Sequence, residues 1–505
     1  MNRLSRRRLL TAPPLIAAAT TAVRVAAEPE SRLLRVGIVS DPVTLDPAFA
    51  GSFFENQVLY NLHETLLVAH PDGTLEGGLA ESWELPDKLR CVLLLRPGLT
   101  FHDGTPLDAD AVRANFERLL DPQTGSIRRG DLGPLAEVAV LGPRTVELRL
   151  SEPYAPLPSI LASRAGMIVS PTALARLGPE FGARAVGCGA FRLVSWNRNS
   201  ELVLERFDGY WRGREHAFDR LVLRPLPDET ARLANLRAGT VQLIDGVPPQ
   251  AVNMIAHSPE LSVARMPSIG FNAVSLNCTR PPFDDRRVRQ AFAATIDPEV
   301  IQRLVYFGTG RIANGPIPPA IQWAFDPDFS PGRRDLEHAR TLLTEAGIVT
   351  PTRVTLTVTT APAMLRIAQI LQTQAGEAGF AVQLRQVDPT ILLSVLKHRD
   401  FDVAISPWSG RFDPDGNMFV WFARGGFANF SGYDDEGVTD LLHAARASSD
   451  QAERAVLYRR AQARVVQDAP VVFLHFDAIL QAATARLHWT LYPDGVLRLF
   501  DARMT

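Results

Sequence analysis

Residues 353–407 constrain the fold of this chain more than any other stretch. Arg353–Thr360 places Val354, Leu356 and Val358 on one face, the two-residue period of a strand. A helical pattern follows from about Ala363 to Glu377 and stops at Gly379. Phe380–Val387 reads as a second strand, Thr390–Lys397 as a short helix and Phe401–Ser406 as a third strand. Strands joined through helices in one sheet run parallel with right-handed crossovers. The expected unit is therefore α/β with a mainly parallel sheet. Ligands of such sheets sit beyond the carboxyl ends of the strands. Here that place holds Pro407-Trp408-Ser409-Gly410-Arg411.

One such unit cannot absorb 505 residues. A single hydrophobic core stops growing near roughly 250–300 residues, so at least two lobes are expected. Leu33–Val39 reads as a buried strand and residues 53–67 as a helix. Cys91–Leu95 and Thr145–Leu150 read as strands, with a helix over Asp108–Leu120 capped by Asp108. Asp335–Gly347 is a further capped helix with Leu336, Ala339, Leu342, Leu343 and Ala346 on one face. The proline-rich patches Pro153–Pro158 and Pro225–Pro227 read as loops, and they are the expected places for the chain to cross between lobes.

The N-terminus has the parts of an export signal. Ser5-Arg6-Arg7-Arg8-Leu9-Leu10 precedes an apolar run from about Thr11 to Val23, and small residues follow at Val25-Ala26-Ala27. The run is shorter than the ~20 residues of a membrane span. Paired arginines before Leu-Leu match the twin-arginine address, so residues 1–27 are expected to be a removed signal peptide. The first cysteine is Cys91, far from the cut, so a free periplasmic protein without a lipid anchor is expected.

Charge narrows the partners. The whole chain has net charge −2, and residues 1–27 carry five arginines and no acid, so a chain starting at Glu28 has −7. Nucleic acid and anionic membranes need a basic face and are disfavoured. Lys88 and Lys397 are the two lysines; every other cation is arginine, the residue suited to buried ion pairs. Cys91, Cys188 and Cys278 allow at most one disulfide, with the pairing open. Cys91 sits in a strand-like apolar run and reads as a small core residue.

Catalytic signatures are missing. The sequence has no Gly-x-Ser-x-Gly elbow, no His-Glu-x-x-His and no P-loop. Cys188 lies in a glycine turn without a sequence-adjacent histidine, which argues against a thiol nucleophile. Asp413-Pro414-Asp415-Gly416-Asn417 resembles a calcium loop only faintly, because its glycine comes at the fourth place and Arg424 stands where the closing glutamate belongs. No enzyme activity, cofactor or metal site is expected.

Several separate motifs share one pattern. They are Leu79-Ala80-Glu81-Ser82-Trp83, Leu94-Leu95-Arg96-Pro97-Gly98, Phe101-His102-Asp103-Gly104-Thr105-Pro106-Leu107 and Asp110-Ala111-Val112. Gly187-Cys188-Gly189-Ala190-Phe191, Pro282-Phe283-Asp284-Asp285, Val288-Arg289-Gln290-Ala291 and Ala339–Gly347 follow in order. Together they resemble the family 5 extracellular solute-binding proteins, the dipeptide, oligopeptide and nickel binders of ABC importers. The resemblance covers about residues 33–500.

That resemblance implies a periplasmic binding protein of type II-like architecture, with two lobes closing by a hinge and an extra small inserted domain. Lobe I would comprise residues 31–62, 188–268 and 470–505, the inserted domain 63–187 and lobe II 269–469. It implies a monomer that captures a small peptide or peptide-like solute and hands it to ABC permease subunits with their ATPases. Alternatives are another carboxylated solute, such as an opine or a glutathione-like compound, or, from a different class, a periplasmic hydrolase. The residues expected at the ligand are Phe53, Phe54, Phe271, Trp408, Ser409, Gly410, Arg411, Asp413, Asn429 and Tyr433. In peptide-binding relatives a segment resembling Trp-x-x-Asp offers its aspartate to the peptide's amino group; here the same four places read Trp408-Ser409-Gly410-Arg411. A guanidinium repels ammonium and pairs with carboxylate. Arg411 is thus expected either to select an acidic ligand group or to pair internally with Asp413 or Asp415. Asp413 could take the amino-binding part if the loop is one residue shorter.

Overall fold

A computed structural model describes residues 32–213, 218–330, 332 and 334–505. The twin-arginine segment lies outside the described residues. Lobe I opens with β1 (Leu33–Ile38) and α1 (Phe53–Leu62). The chain then builds a separate four-stranded antiparallel sheet from β2 (Ala80–Asp87), β3 (Arg90–Leu95), β4 (Leu135–Gly142) and β5 (Thr145–Leu150), in the order β2-β3-β5-β4, with α2 (Ala109–Leu120) packed on it. It returns through β6 (Phe191–Asn197), β7 (Glu201–Arg206), β8 (Arg220–Pro225), β9 (Leu243–Ile244) and β10 (Leu261–Pro267).

Lobe II follows with β11 (Phe271–Leu276), α3 (Leu336–Glu345), β12 (Thr352–Thr359), α4 (Pro362–Gly376), β13 (Phe380–Val387), α5 (Pro389–Lys397) and β14 (Val403–Trp408). Then come α6 (Asp415–Phe422), α7 (Gln451–Asp468) and β15 (Val471–Phe476), after which β16 (Ala478–Thr484) rejoins lobe I. The lobe I sheet has the order β6-β7-β8-β1-β9-β16-β10. Among the described residues, no helix is long and apolar enough to cross a membrane.

The βαβαβ unit forms where the periodicity puts it. β12 pairs in parallel with both β13 and β14, and Val354, Leu356 and Val358 are buried beneath α4. Asp335 caps α3 by accepting the His338 amide, and Asp108 caps α2 by accepting that of Ala111. The sheet is mixed, however, since β11 pairs antiparallel with β14 and β15. The third strand starts at Val403 and runs through Trp408, two residues later than expected, so Trp408 ends the strand instead of following it. The helix expected over 53–67 stops at Leu62: His63 is extended, and Glu64–Thr65 and Leu67–Ala69 become short strands. An unbroken apolar run satisfies either period, so tertiary pairing decides.

The passages between the two large sheets are not proline patches. Pro225 is the last residue of β8, inside the lobe I sheet, and Leu157–Leu161 is a helical turn. The chain crosses instead at residues 268–270, between β10 and β11, and at Asp477, between β15 and β16. The Ser268 amide donates to the Asp477 carbonyl, and the Asp477 carboxylate accepts twice from the Asn272 amide at 2.7 and 2.8 Å. Two short connections side by side are the arrangement of a hinge that bends at few dihedrals. Cys91, Cys188 and Cys278 are all unpaired; Cys91 is fully buried in the core of the inserted domain.

Candidate functional site

β14 delivers Trp408 to the junction of the three bodies. The next turn is shaped by glycine: Gly410 has φ +77°, and a Cβ there would collide with the Ile269 carbonyl in the hinge passage. Gly270 lies equally close to the Trp408 carbonyl, so loop and hinge pack backbone to backbone. The buried Asn417 of α6 ties them together. Its amide donates to the carbonyls of Ile269 and Pro316 at 2.9 and 3.1 Å, while its oxygen accepts from Trp408 Nε1 at 3.0 Å and the Arg411 amide at 3.3 Å. Trp408 stands edge-on against Trp421, with ring centroids 5.5 Å apart.

Facing this loop is a partly open cavity lined by residues of all three bodies. Lobe I supplies one face of α1, Phe53, Asn56 and Tyr60, at helical spacing. A capping box of Ser52 and Glu55 fixes where that helix begins. The inserted domain supplies Arg128, Asp131, Tyr154 and Arg164; lobe II supplies Trp408–Asp413, Asp415, Phe427 and Arg446. The inserted domain also touches lobe II directly, through a hydrogen bond from the Ala155 amide to the Arg446 carbonyl.

The charges around the cavity are unevenly matched. Asp131 pairs with Arg128 at 2.7 Å, Asp413 with Arg454 at 2.7 Å, Asp415 bidentately with Arg446 at 2.8 Å and Asp494 with Arg498 at 2.7 and 3.0 Å. These four are the aspartates of the cavity lining. Arg164 and Arg411, by contrast, have no carboxylate partner among the described residues. Arg164 Nη1 donates to the Ser52 and Ala50 carbonyls at 2.8 and 3.3 Å; Arg411 Nη1 donates to its neighbour's carbonyl, Gly410 O, at 2.7 Å. Burial lowers the pKa of both guanidiniums, the sign of cations short of counter-charge.

A family model for bacterial extracellular solute-binding proteins, family 5 (middle), matches residues 74–430, well over half the chain. The chain belongs to this family. The family 5 protein is 28% identical over 510 residues to the glutathione-binding protein GsiB of Pectobacterium atrosepticum, covering 97% of this chain and 98% of that one. Among solved structures it resembles DppA from Helicobacter pylori in complex with the peptide STSA (TM-score 0.86, 24% identity, 94% of this chain and 99% of that one). It also resembles AgaA in complex with agropinic acid from A. tumefaciens R10 (TM-score 0.83, 26% identity, the same coverages). The fold is that of type II periplasmic binding proteins.

Six of the residues expected at the ligand line this protein's cavity: Phe53, Trp408, Ser409, Gly410, Arg411 and Asp413. Four do not. Phe54 sits beside Phe53 on α1 but outside the lining. Phe271 is 1% exposed, packed between Trp421 and Phe473. Asn429 staples its own loop, donating to the Tyr433 carbonyl at 2.7 Å and accepting the Tyr433 amide at 3.0 Å. The Tyr433 hydroxyl donates to Asp468 at 2.6 Å, on a separate surface groove. Internal pairing of Arg411 with Asp413 or Asp415 is also corrected, because Arg454 and Arg446 hold those carboxylates. Asp413 Oδ1 accepts from Arg454 and from the Asp415 amide. Sequence reasoning missed Arg128, Arg164, Arg446 and Asn417; for Asn56 and Tyr60 the helical spacing from Phe53 was the available signal.

Proposed function

We propose that this family 5 binding protein is the periplasmic receptor of an ABC importer, capturing a small peptide-like solute by a carboxylate group and presenting it to the membrane permease. Arg411 is the observation that carries this reading: a partly buried guanidinium on a glycine-shaped loop, at the closure of three bodies, with no carboxylate in salt-bridge contact among the described residues. Trp408 supplies a flat wall, and its guanidinium neighbour lies 5.0 Å from the ring centroid. The relatives support the ligand class, since their names and complexes include glutathione, short peptides and agropinic acid. Export through the arginine pair at Arg6-Arg7 and work as a monomer belong to the same proposal.

Titration calorimetry with glutathione and with its glycine-terminal amide tests the reading. Arg411→Ala should cost the carboxylate form about 2–5 kcal/mol, narrow its advantage over the amide and leave the melting temperature of the free protein unchanged. Equal losses for the acid and the amide would remove Arg411 from ligand selection.

A further inference from the structure

Resting on that reading, we propose that the cargo carries two acidic groups, one held by Arg411 of lobe II and the other by Arg164 of the inserted domain. Both guanidiniums line one cavity, one from the inserted domain and the other from lobe II. Arg164 is 8% exposed and is oriented by two backbone carbonyls, which hold it without supplying a counter-charge. A buried cation without a partner is costly, and an incoming anion removes that cost.

Beside it, the Nε of Arg128 is buried with no acceptor, although its other end holds Asp131. The inserted domain therefore offers unused guanidinium donors at two positions. Every aspartate of the lining is already matched by an arginine, so the charge left over around the cavity is positive. A second charged group on the ligand is therefore expected to be an anion. On the lobe I side, Asn56 Oδ1 is buried without a donor, and it asks for a ligand N–H or O–H between the acids. The chemical class that fits is a dicarboxylic compound with an amide or hydroxyl donor and no need for a free amine.

The probes are N-acetyl-S-methylglutathione, which has two carboxylates, an amide backbone and no ammonium, its two monoamides, and unacetylated S-methylglutathione. Calorimetry on the intact mature protein should show the diacid binding about 30-fold or more tighter than either monoamide. Acetylation should weaken binding less than about threefold. Arg164→Gln should abolish discrimination against one monoamide, and Arg411→Ala discrimination against the other. Arg164→Lys keeps the charge and should retain most of the preference, which separates loss of a ligand contact from loss of the Ser52 contact. If Arg411→Ala discriminates and Arg164→Gln weakens acid and amides alike, the second anchor is overturned while the carboxylate reading stands. If neither variant discriminates, both fall. No binding of the diacid, or tighter binding of the unacetylated form by tenfold, likewise overturns the proposal.

Discussion

Asp413 stands two residues after Arg411, yet its carboxylate turns to Arg454 at 2.7 Å, where both side chains are buried. The pair pins the loop to α7 and is expected to act on stability, not on ligand charge. Asp413→Ala leaves the Arg454 cation buried alone and should cost about 3–5 kcal/mol in denaturant unfolding. Ligand preference between free and acetylated amines should stay as it was. Asp245 is the opposite case, buried with both carboxylate oxygens lacking a hydrogen-bond partner. Desolvation pushes its pKa up to about 7 from an ordinary value of 3.8. An acid raised on folding contributes stability below its unfolded pKa, and that contribution is lost as pH rises through the folded value. Asp245→Asn should therefore match the wild type near pH 4 and become progressively more stable than it up to about pH 7. Melting curves of the two proteins across that range check the divergence.

Between residue and fold, the elements that make the site are the end of β14, the start of α6 and the first turns of α1. The turn after β14 works because two glycines, Gly410 and Gly270, let loop and hinge backbones touch. Gly416 does the same for the stem of Arg411, whose Cβ and Cγ occupy the space a side chain there would fill. Gly410→Ala meets both a left-handed backbone and the Ile269 carbonyl. It should cost about 1–3 kcal/mol of backbone strain and weaken ligand binding by at least about tenfold, because the strain displaces Trp408 and Arg411 together. Differential scanning calorimetry and ligand titration of this variant measure the two effects.

Over the whole molecule, the cavity exists only where the three bodies meet, so its affinity is coupled to their closure. The hinge has two connections, and a hydrogen bond from Ala155 to Arg446 joins the inserted domain to lobe II beside the ligand space. Opening would break that bond and separate Arg164 from Arg411. Ligand that touches both bodies should then shift the population to the closed form. Small-angle scattering should give a monomer whose radius of gyration falls on saturation, and the melting temperature should rise with ligand concentration. An unchanged envelope at saturation would argue against the hinge.

Periodicity alone was enough for the βαβαβ unit, the capped helices and Cys91 in a core, because these follow from spacing within a few residues. The motifs in order were enough for the family. The location of Trp408 and Arg411 at a strand's carboxyl end was also legible, since it follows from parallel topology. Which acid pairs with which arginine was not. Asp413 with Arg454 and Asp415 with Arg446 depend on distances set by packing. For the same reason Phe271, Asn429 and Tyr433 went into cores and loop staples, and Arg164 emerged at the cavity from a stretch with no motif. The hinge, too, came from sheet membership and not from proline content. Local spacing dictates elements, whereas burial and most charge matching arise between segments of different elements, and only the folded chain brings them together.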